Sequence, residues 1–211
     1  MKVAGLLIFG ILLSGCEPSS SKNTGVYMLV DTSGTYQNEI RKAEQIIRFT
    51  LSRLDATDSF AVARVDTGSF SEKDIVAKAT FDDRPSMVNR QKRKFAETVR
   101  SFVNSSRSSP YTDISGGLLQ AVEFLNEKGT GTKTVLIFSD LKEDLQEGYV
   151  RDFDIDLSGF DIIALNVTKL RSDNIDPREY LGRLADWKTK VENSGGNWRV
   201  INDLEGLEGL L

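Results

Sequence analysis

The stretch Val26-Tyr27-Met28-Leu29-Val30-Asp31-Thr32-Ser33-Gly34-Thr35 decides how this chain is read. Its first half is an unbroken apolar run bounded by Gly25 and Asp31, the pattern of a strand buried on both faces. The second half changes character at once. It brings a carboxylate at Asp31, hydroxyls at Ser33 and Thr35 on alternate positions, and Gly34 to let the turn bend. Strands buried on both faces belong to sheets covered by helices on each side, and such open sheets hold ligands at the carboxyl ends of their strands. Residues 31–35 therefore stand where a ligand site is expected, and their oxygens suit a hard cation. Alone, D-x-S-x-T also reads as an Asp/Ser turn capping the next helix.

The pattern repeats outward from this stretch. Phe60 to Val65, Thr134 to Phe138, Ile162 to Val167 and, more weakly, Trp198 to Ile201 read as further buried strands. Helical spacing lies between them: Ile40, Ala43, Ile47, Leu51 and Leu54 form one stripe, and Ile114, Leu118, Val122 and Leu125 another. Tyr180, Leu184, Trp187 and Val191 follow Asp176-Pro177-Arg178-Glu179, a strong helix start. Val88, Phe95, Val99 and Phe102 suggest a fourth helix, with a gap at Gln91 and Lys92. The alternation predicts an α/β fold: a doubly wound, mostly parallel sheet flanked by helices on both faces. Ile75 to Phe81 follows Val65 with no room for a crossover helix, so it should pair as one antiparallel edge strand.

Two more loops fall on the same edge of that sheet. Pro110-Tyr111-Thr112-Asp113 precedes the helix of Ile114, and Ser139-Asp140 closes the strand ending at Phe138. Together the three loops resemble the von Willebrand factor type A domain and its metal ion-dependent adhesion site. That site combines D-x-S-x-S, a threonine before a later helix and an aspartate ending the next strand. The matching positions are Asp31, Ser33, Thr35, Thr112 and Asp140, and the resemblance spans roughly residues 25–201. It implies Mg2+, or another divalent cation such as Mn2+ or Ca2+, held directly by the first-loop hydroxyls, with the threonine joining in the ligand-competent state. The aspartates act largely through water, and the remaining position takes an exposed Asp or Glu of a partner protein. Two positions depart from the pattern: Thr35 replaces the usual second serine, and Leu141 stands where glycine commonly follows the last aspartate.

Composition agrees with such chemistry and excludes others. With 39% hydrophobic and 27% charged residues over 211 positions, the chain is expected to pack one good-sized core. It has no histidine and one cysteine, Cys16, so histidine-based zinc sites, Ser-His and Cys-His nucleophiles and intrachain disulfides fall away. A formal charge of −4 argues against nucleic acid as the main partner. A haloacid dehalogenase-like phosphohydrolase uses D-x-D-x-T, but Ser33 occupies the place of the second aspartate, the general acid. No G-x-G-x-x-G follows the first strand, which disfavours a dinucleotide enzyme. The expectation is a binding module rather than an enzyme, with a metal-independent structural scaffold as the other non-enzymatic reading.

The first residues carry an address. Lys2 precedes an apolar run from Val3 to Leu13, too short to span a bilayer, that ends in Leu13-Ser14-Gly15-Cys16. This resembles the bacterial lipobox, which implies a signal peptide over residues 1–15 and acylation (palmitate) of Cys16. Residues 16–23 then form a polar tether, and 24–211 the folded domain. Glu17 is not the aspartate associated with inner-membrane retention, so the resemblance implies a lipid-anchored protein on the periplasmic side, at the outer membrane.

Two charge patterns remain. Arg84, Arg90, Lys92, Arg93, Lys94 and Arg100 face one acid, Glu97, and read as a solvated helix face or a contact for anionic lipid or an acidic partner. The acidic segment 141–160 leaves room for a short helix or an inserted loop beside Asp140 that tunes access to the site. Its Asp152-Phe153-Asp154-Ile155-Asp156 mimics the start of a calcium loop, but Leu157 and Ile163 stand where that loop requires Gly and Glu. Leu204, Leu207, Leu210 and Leu211 are expected to form a terminal turn packed on the domain.

Overall fold

The computed structural model describes residues 22–34, 36, 39–66, 71–151, 153–168, 170, 173, 175–202 and 205–210. Cys16, Thr35, Asp152, Leu204, Leu211, the expected signal segment and most of the tether lie outside the described residues. In chain order the elements are β1 (Thr24–Val30), α1 (Ile40–Arg53), β2 (Ser59–Arg64), β3 (Ile75–Thr80), α2 (Pro85–Ser105), α3 (Ile114–Lys128), β4 (Thr132–Phe138), β5 (Phe160–Leu165), α4 (Pro177–Asn193) and β6 (Asn197–Ile201). Short 3-10 turns occupy Glu72–Asp74 and Glu205–Gly209.

The strands form one sheet in the order β3-β2-β1-β4-β5-β6. β1, β2, β4, β5 and β6 run parallel, and β3 pairs antiparallel with β2 at the edge, as the missing crossover required. Strand periodicity divides β1 between two cores. Val26, Met28 and Val30 pack with α1 and α2 on one face, while Tyr27 and Leu29 pack with α3 and α4 on the other. Among the described residues both cores draw on positions between Val26 and Leu210, so residues 22–211 carry every described core residue. Of the four terminal leucines, Leu210 is buried in the α1/α2 core and packs on the domain. No helix among the described residues is long and apolar enough to cross a membrane.

The bounds of one strand shift from the sequence reading, and the structure decides two points that the sequence left open. β5 starts and ends two residues early, because Asn166 takes a left-handed backbone (φ 53°) that no strand can continue through. Helix α2 runs unbroken across its apolar gap. There the Gln91 side chain accepts the Asp82 amide at 2.9 Å, and the Lys92 ammonium reaches the Leu54 carbonyl, so both polar groups tie off neighbouring ends. Among the described residues of 141–160 there is no helix, and the segment is an inserted loop.

The direction of winding reverses between β1 and β4, where the chain leaves β1 for α1 and β2 on one side and β4 adds on the other. Crevices outside the strand ends at such a reversal are where open α/β sheets bind ligands. Asp31 follows β1 and Asp140 follows β4, at this point.

Candidate functional site

The first loop leaves β1 with Asp31 almost fully buried, 1% exposed. Its amide bonds the Phe138 carbonyl of β4 at 3.0 Å, which fixes the loop to the neighbouring strand. One carboxylate oxygen accepts the Ser33 amide at 2.7 Å in an Asx turn, and the other accepts the Ser139 hydroxyl at 2.6 Å. Burial pushes the Asp31 carboxyl above the usual carboxylate range; hydrogen bonds from Ser139, Ser33 and Thr112 pull the other way without cancelling it.

The second loop joins α2 to α3 and is stitched to the first by the Ser109 amide, which donates to the Thr32 carbonyl at 3.1 Å. Thr112 is 3% exposed and held by paired backbone hydrogen bonds with Asp144, at 2.8 and 3.0 Å. Asp113 then caps α3 through the Gly116 amide at 2.8 Å. Gly117 lets that helix approach the sheet: a Cβ there would lie 2.9 Å from methyls of both Leu29 and Val65. Thr112 therefore rides on a helix start pressed against β1.

The acidic segment 141–160 clamps this start. Glu143 accepts both the Ser115 amide (2.6 Å) and its hydroxyl (3.0 Å), a favourable place for a carboxylate at a helix N-terminus. Arg151 forks onto Asp113, with Nε 3.0 Å from each carboxylate oxygen; the two side chains are 11% and 2% exposed. At least one acid of the segment that read as a partner-tuning loop, Glu143, thus has a positioning task inside the domain.

The third loop is pinned from α4. Arg183 Nε donates to the Asp140 carbonyl at 3.2 Å, while its other nitrogens hold Asp173 at 2.9 and 2.7 Å. Trp187 donates its indole N–H to the Leu141 carbonyl at 3.0 Å. Leu141 adopts the left-handed conformation (φ 66°) that glycine reaches without strain. A bulky residue there costs about 1–3 kcal/mol, offset by burying its side chain in the α3/α4 core. The Asp140 carboxyl is pushed up to about 6, first by burial and then by the Asp31 charge, against the Lys142 amide and the cations of Arg183 and Lys142.

These loops enclose a cavity of about 610 Å³, with Ser33, Thr112 and Asp140 in its wall beside Gly34, Ser108, Ser109, Pro110, Lys142, Asp144 and Leu170. Asp31 lies behind that wall, bonded to Ser33 and Ser139. Four of the five expected site residues, Asp31, Ser33, Thr112 and Asp140, are brought together; Thr35 lies outside the described residues. Among the described residues no group of three or more His, Cys, Asp and Glu gathers anywhere. A cation at this cavity would therefore rest on hydroxyl oxygens with two carboxylates, a donor set that fits a hard ion such as Mg2+ and not a soft one. The carboxylates agree: both are destabilised as anions, and no ion pair among the described residues neutralises Asp31.

Sequence reasoning missed the supports. Ser139 was visible as a hydroxyl beside Asp140, but its bond to Asp31 joins residues 108 positions apart. Asp113–Arg151, Asp173–Arg183 and Trp187–Leu141 likewise span loops and carry no spacing signal.

No family model matches this sequence, and no curated protein sequence does. Solved structures match it in shape. A von Willebrand factor type A protein from Catenulispora acidiphila superposes with a TM-score of 0.59 at 15% identity, covering 89% of this chain and 40% of that one. The pilus adhesin SpaC from Lactobacillus rhamnosus GG, in an open conformation, gives 0.55 at 10% identity over 90% of this chain and 29% of the adhesin. Proximal thread matrix protein 1 from the mussel byssus gives 0.53 at 13%, over 90% and 46%. The chain thus spans less than half the length of each. At these identities the likeness is one of fold, and the fold is that of the von Willebrand factor type A domain.

Proposed function

We propose that this domain is a binding module that captures an exposed Asp or Glu of a partner protein through a divalent cation, Mg2+ first among the candidates. The observation that carries the reading is the convergence of Ser33, Thr112 and Asp140 on one cavity at the β1/β4 switch point, with Asp31 hydrogen-bonded behind them. The fold shared with a pilus adhesin supports a binding role. In this proposal the Ser33, Thr35 and Thr112 hydroxyls hold the ion, while Asp31 from behind them and Asp140 from the cavity wall act through water. Neutral inner donors leave such an ion electrophilic, which is the chemistry it supplies toward a carboxylate oxygen. Asp31 orients Ser33, Ser139 keeps Asp31 in place, and Arg183 and Trp187 fix the backbone that presents Asp140.

No catalysis is proposed. Asp31 is buried and engaged through both carboxylate oxygens, unlike a nucleophile that must be reached, and Ser33 is no general acid. We further propose that Cys16 is acylated, so that the domain is tethered to the periplasmic side of a bacterial membrane, the outer one by the identity of Glu17. Two or three acyl chains anchor firmly where one does not. Pull-down from membrane extracts, first with Mg2+ and then with chelator, tests the reading. Wild type is expected to retain a partner only with Mg2+, and Thr112→Ala to lose it; equal capture in chelator would favour the metal-independent scaffold.

The raised Asp140 carboxyl adds a pH dependence. Its folded value of about 6 lies above the ordinary 3.8, so between these values the folded state holds more protons than the unfolded. This group's contribution therefore weakens the metal-free domain as pH rises through about 6. The cation requires the ionised form, so its stabilising effect is expected to grow over the same range. Thermal melting with and without Mg2+ should show a shift that is large near pH ~7 and small near pH ~5. A shift of equal size at both pH values would contradict the involvement of Asp140.

A further inference from the structure

We infer that the corner where α1 ends and the first turns of α2 begin is a docking surface for an anionic phospholipid bilayer. Within α2, Arg90, Lys92, Arg93, Lys94 and Arg100 stand against a single acid, Glu97. Arg90, Arg93 and Lys94 fall within an arc of about 100° on the helix. All three are exposed, and none has an ion pair among the described residues. Arg53, the last residue of α1, is exposed as well and lies over the Phe49 ring, 5.2 Å from its centroid. Arg48 and Arg100, by contrast, both lie beside Glu44, at 2.7 and 3.7 Å. A cleft of about 300 Å³ between the helices has Arg93 and Lys92 at its wall and Leu51 and Ala96 among its apolar lining. Cations over an aliphatic floor match a phosphate headgroup and the start of its acyl chains.

Position in the fold gives the second argument. Lys92 reaches the Leu54 carbonyl in the turn after α1. The same turn receives the chain where it joins the sheet: the Asn23 side chain donates to the Thr57 carbonyl at 3.2 Å, and the Thr24 amide to Asp58 at 2.6 Å. From there β1 runs about 20 Å to Asp31, at roughly 3.3 Å per residue. The basic corner and the cavity therefore stand at opposite ends of the sheet. Residues 16–23 reach at most about 25 Å. If Cys16 is acylated, a step that rests on the proposed function, this corner is brought to the bilayer and the cavity points away from it.

Flotation of the domain of residues 22–211 with vesicles of phosphatidylglycerol and phosphatidylcholine tests the inference without using Cys16 or any metal. The domain is expected to float with these vesicles at low salt, and not at about 0.5 M salt or with pure phosphatidylcholine. At about five-fold per charge, the combined variant Arg90→Gln, Arg93→Gln, Lys94→Gln should partition roughly 100-fold less. Arg178→Gln, on the opposite face and paired with Asp176, should float like wild type. Absence of flotation, equal binding to pure phosphatidylcholine, undiminished binding by the triple variant, or retention on an acidic polypeptide in place of vesicles would overturn it. Because the assay contains no Mg2+, its failure and a failure of the cation reading are separate results.

Discussion

Arg183→Met should cost the domain about 3–5 kcal/mol of folding stability, the usual penalty for stranding one member of a buried ion pair. The Asp173 side chain is fully buried, and Arg183 meets both of its oxygens, so methionine removes the guanidinium that forks onto a buried anion. Asp173 keeps the Leu170 amide at 2.7 Å, which cannot replace a guanidinium. The substitution also releases the Asp140 carbonyl, so any Mg2+ affinity measured in the surviving folded protein should fall as well. Urea denaturation of residues 22–211 reads the first effect directly. A loss under about 1 kcal/mol would mean that the pair is solvated in solution and does not pin the third loop. Adding Asp173→Asn to Arg183→Met should restore much of the stability, because the buried charge goes with its partner.

Arg151→Met is the second large effect, expected at about 2–4 kcal/mol by the same reasoning. Asp113 is 2% exposed and serves two partners at once, the Gly116 amide at the start of α3 and the Arg151 fork. Without Arg151, the cap remains but loses its guanidinium, and the acidic segment keeps only the Glu143–Ser115 side-chain tie to the start of the helix that follows Thr112. The measurable signature is therefore double. Urea denaturation should show the stability loss, and hydrogen exchange should show faster opening of the amides of Thr112 and Asp144, which bond each other's carbonyls. Unchanged exchange at those two amides would mean that the segment holds the loop by its backbone pairing alone.

Much of the architecture is legible in the sequence. Both-face burial wrote β1, β4 and β5 as continuous apolar runs, and helical spacing wrote α1 and α3, because period and burial are local consequences of where each element sits. The missing crossover before Ile75 dictated an antiparallel edge for the same reason. What stayed hidden depends on residues far apart in the chain. The resemblance marked position 141 as a glycine place, but what holds a leucine there, Trp187, Arg183 and the α3/α4 core around it, is not visible at that position. The acidic segment read as a loop tuning access to the site because each acid alone is a surface residue; only the fold puts Glu143 at the start of α3. At the site itself, Asp31, Ser33, Thr112 and Asp140 were legible as a set because each directly follows or precedes an element that the sequence located. Ser139 was underread because a hydroxyl beside a carboxylate has no spacing that distinguishes a support from a ligand.

Calorimetric titration of Mg2+ into residues 22–211 near neutral pH tests the central claim most directly. Wild type should bind at one saturable site, and Asp31→Asn, which keeps the shape of the side chain and removes its charge, should weaken binding about 10–100-fold. Thr112→Val should weaken it as well while leaving Asp31 buried. No Mg2+ binding by the wild-type domain, or binding undiminished in both variants, would contradict a cation site built from these oxygens.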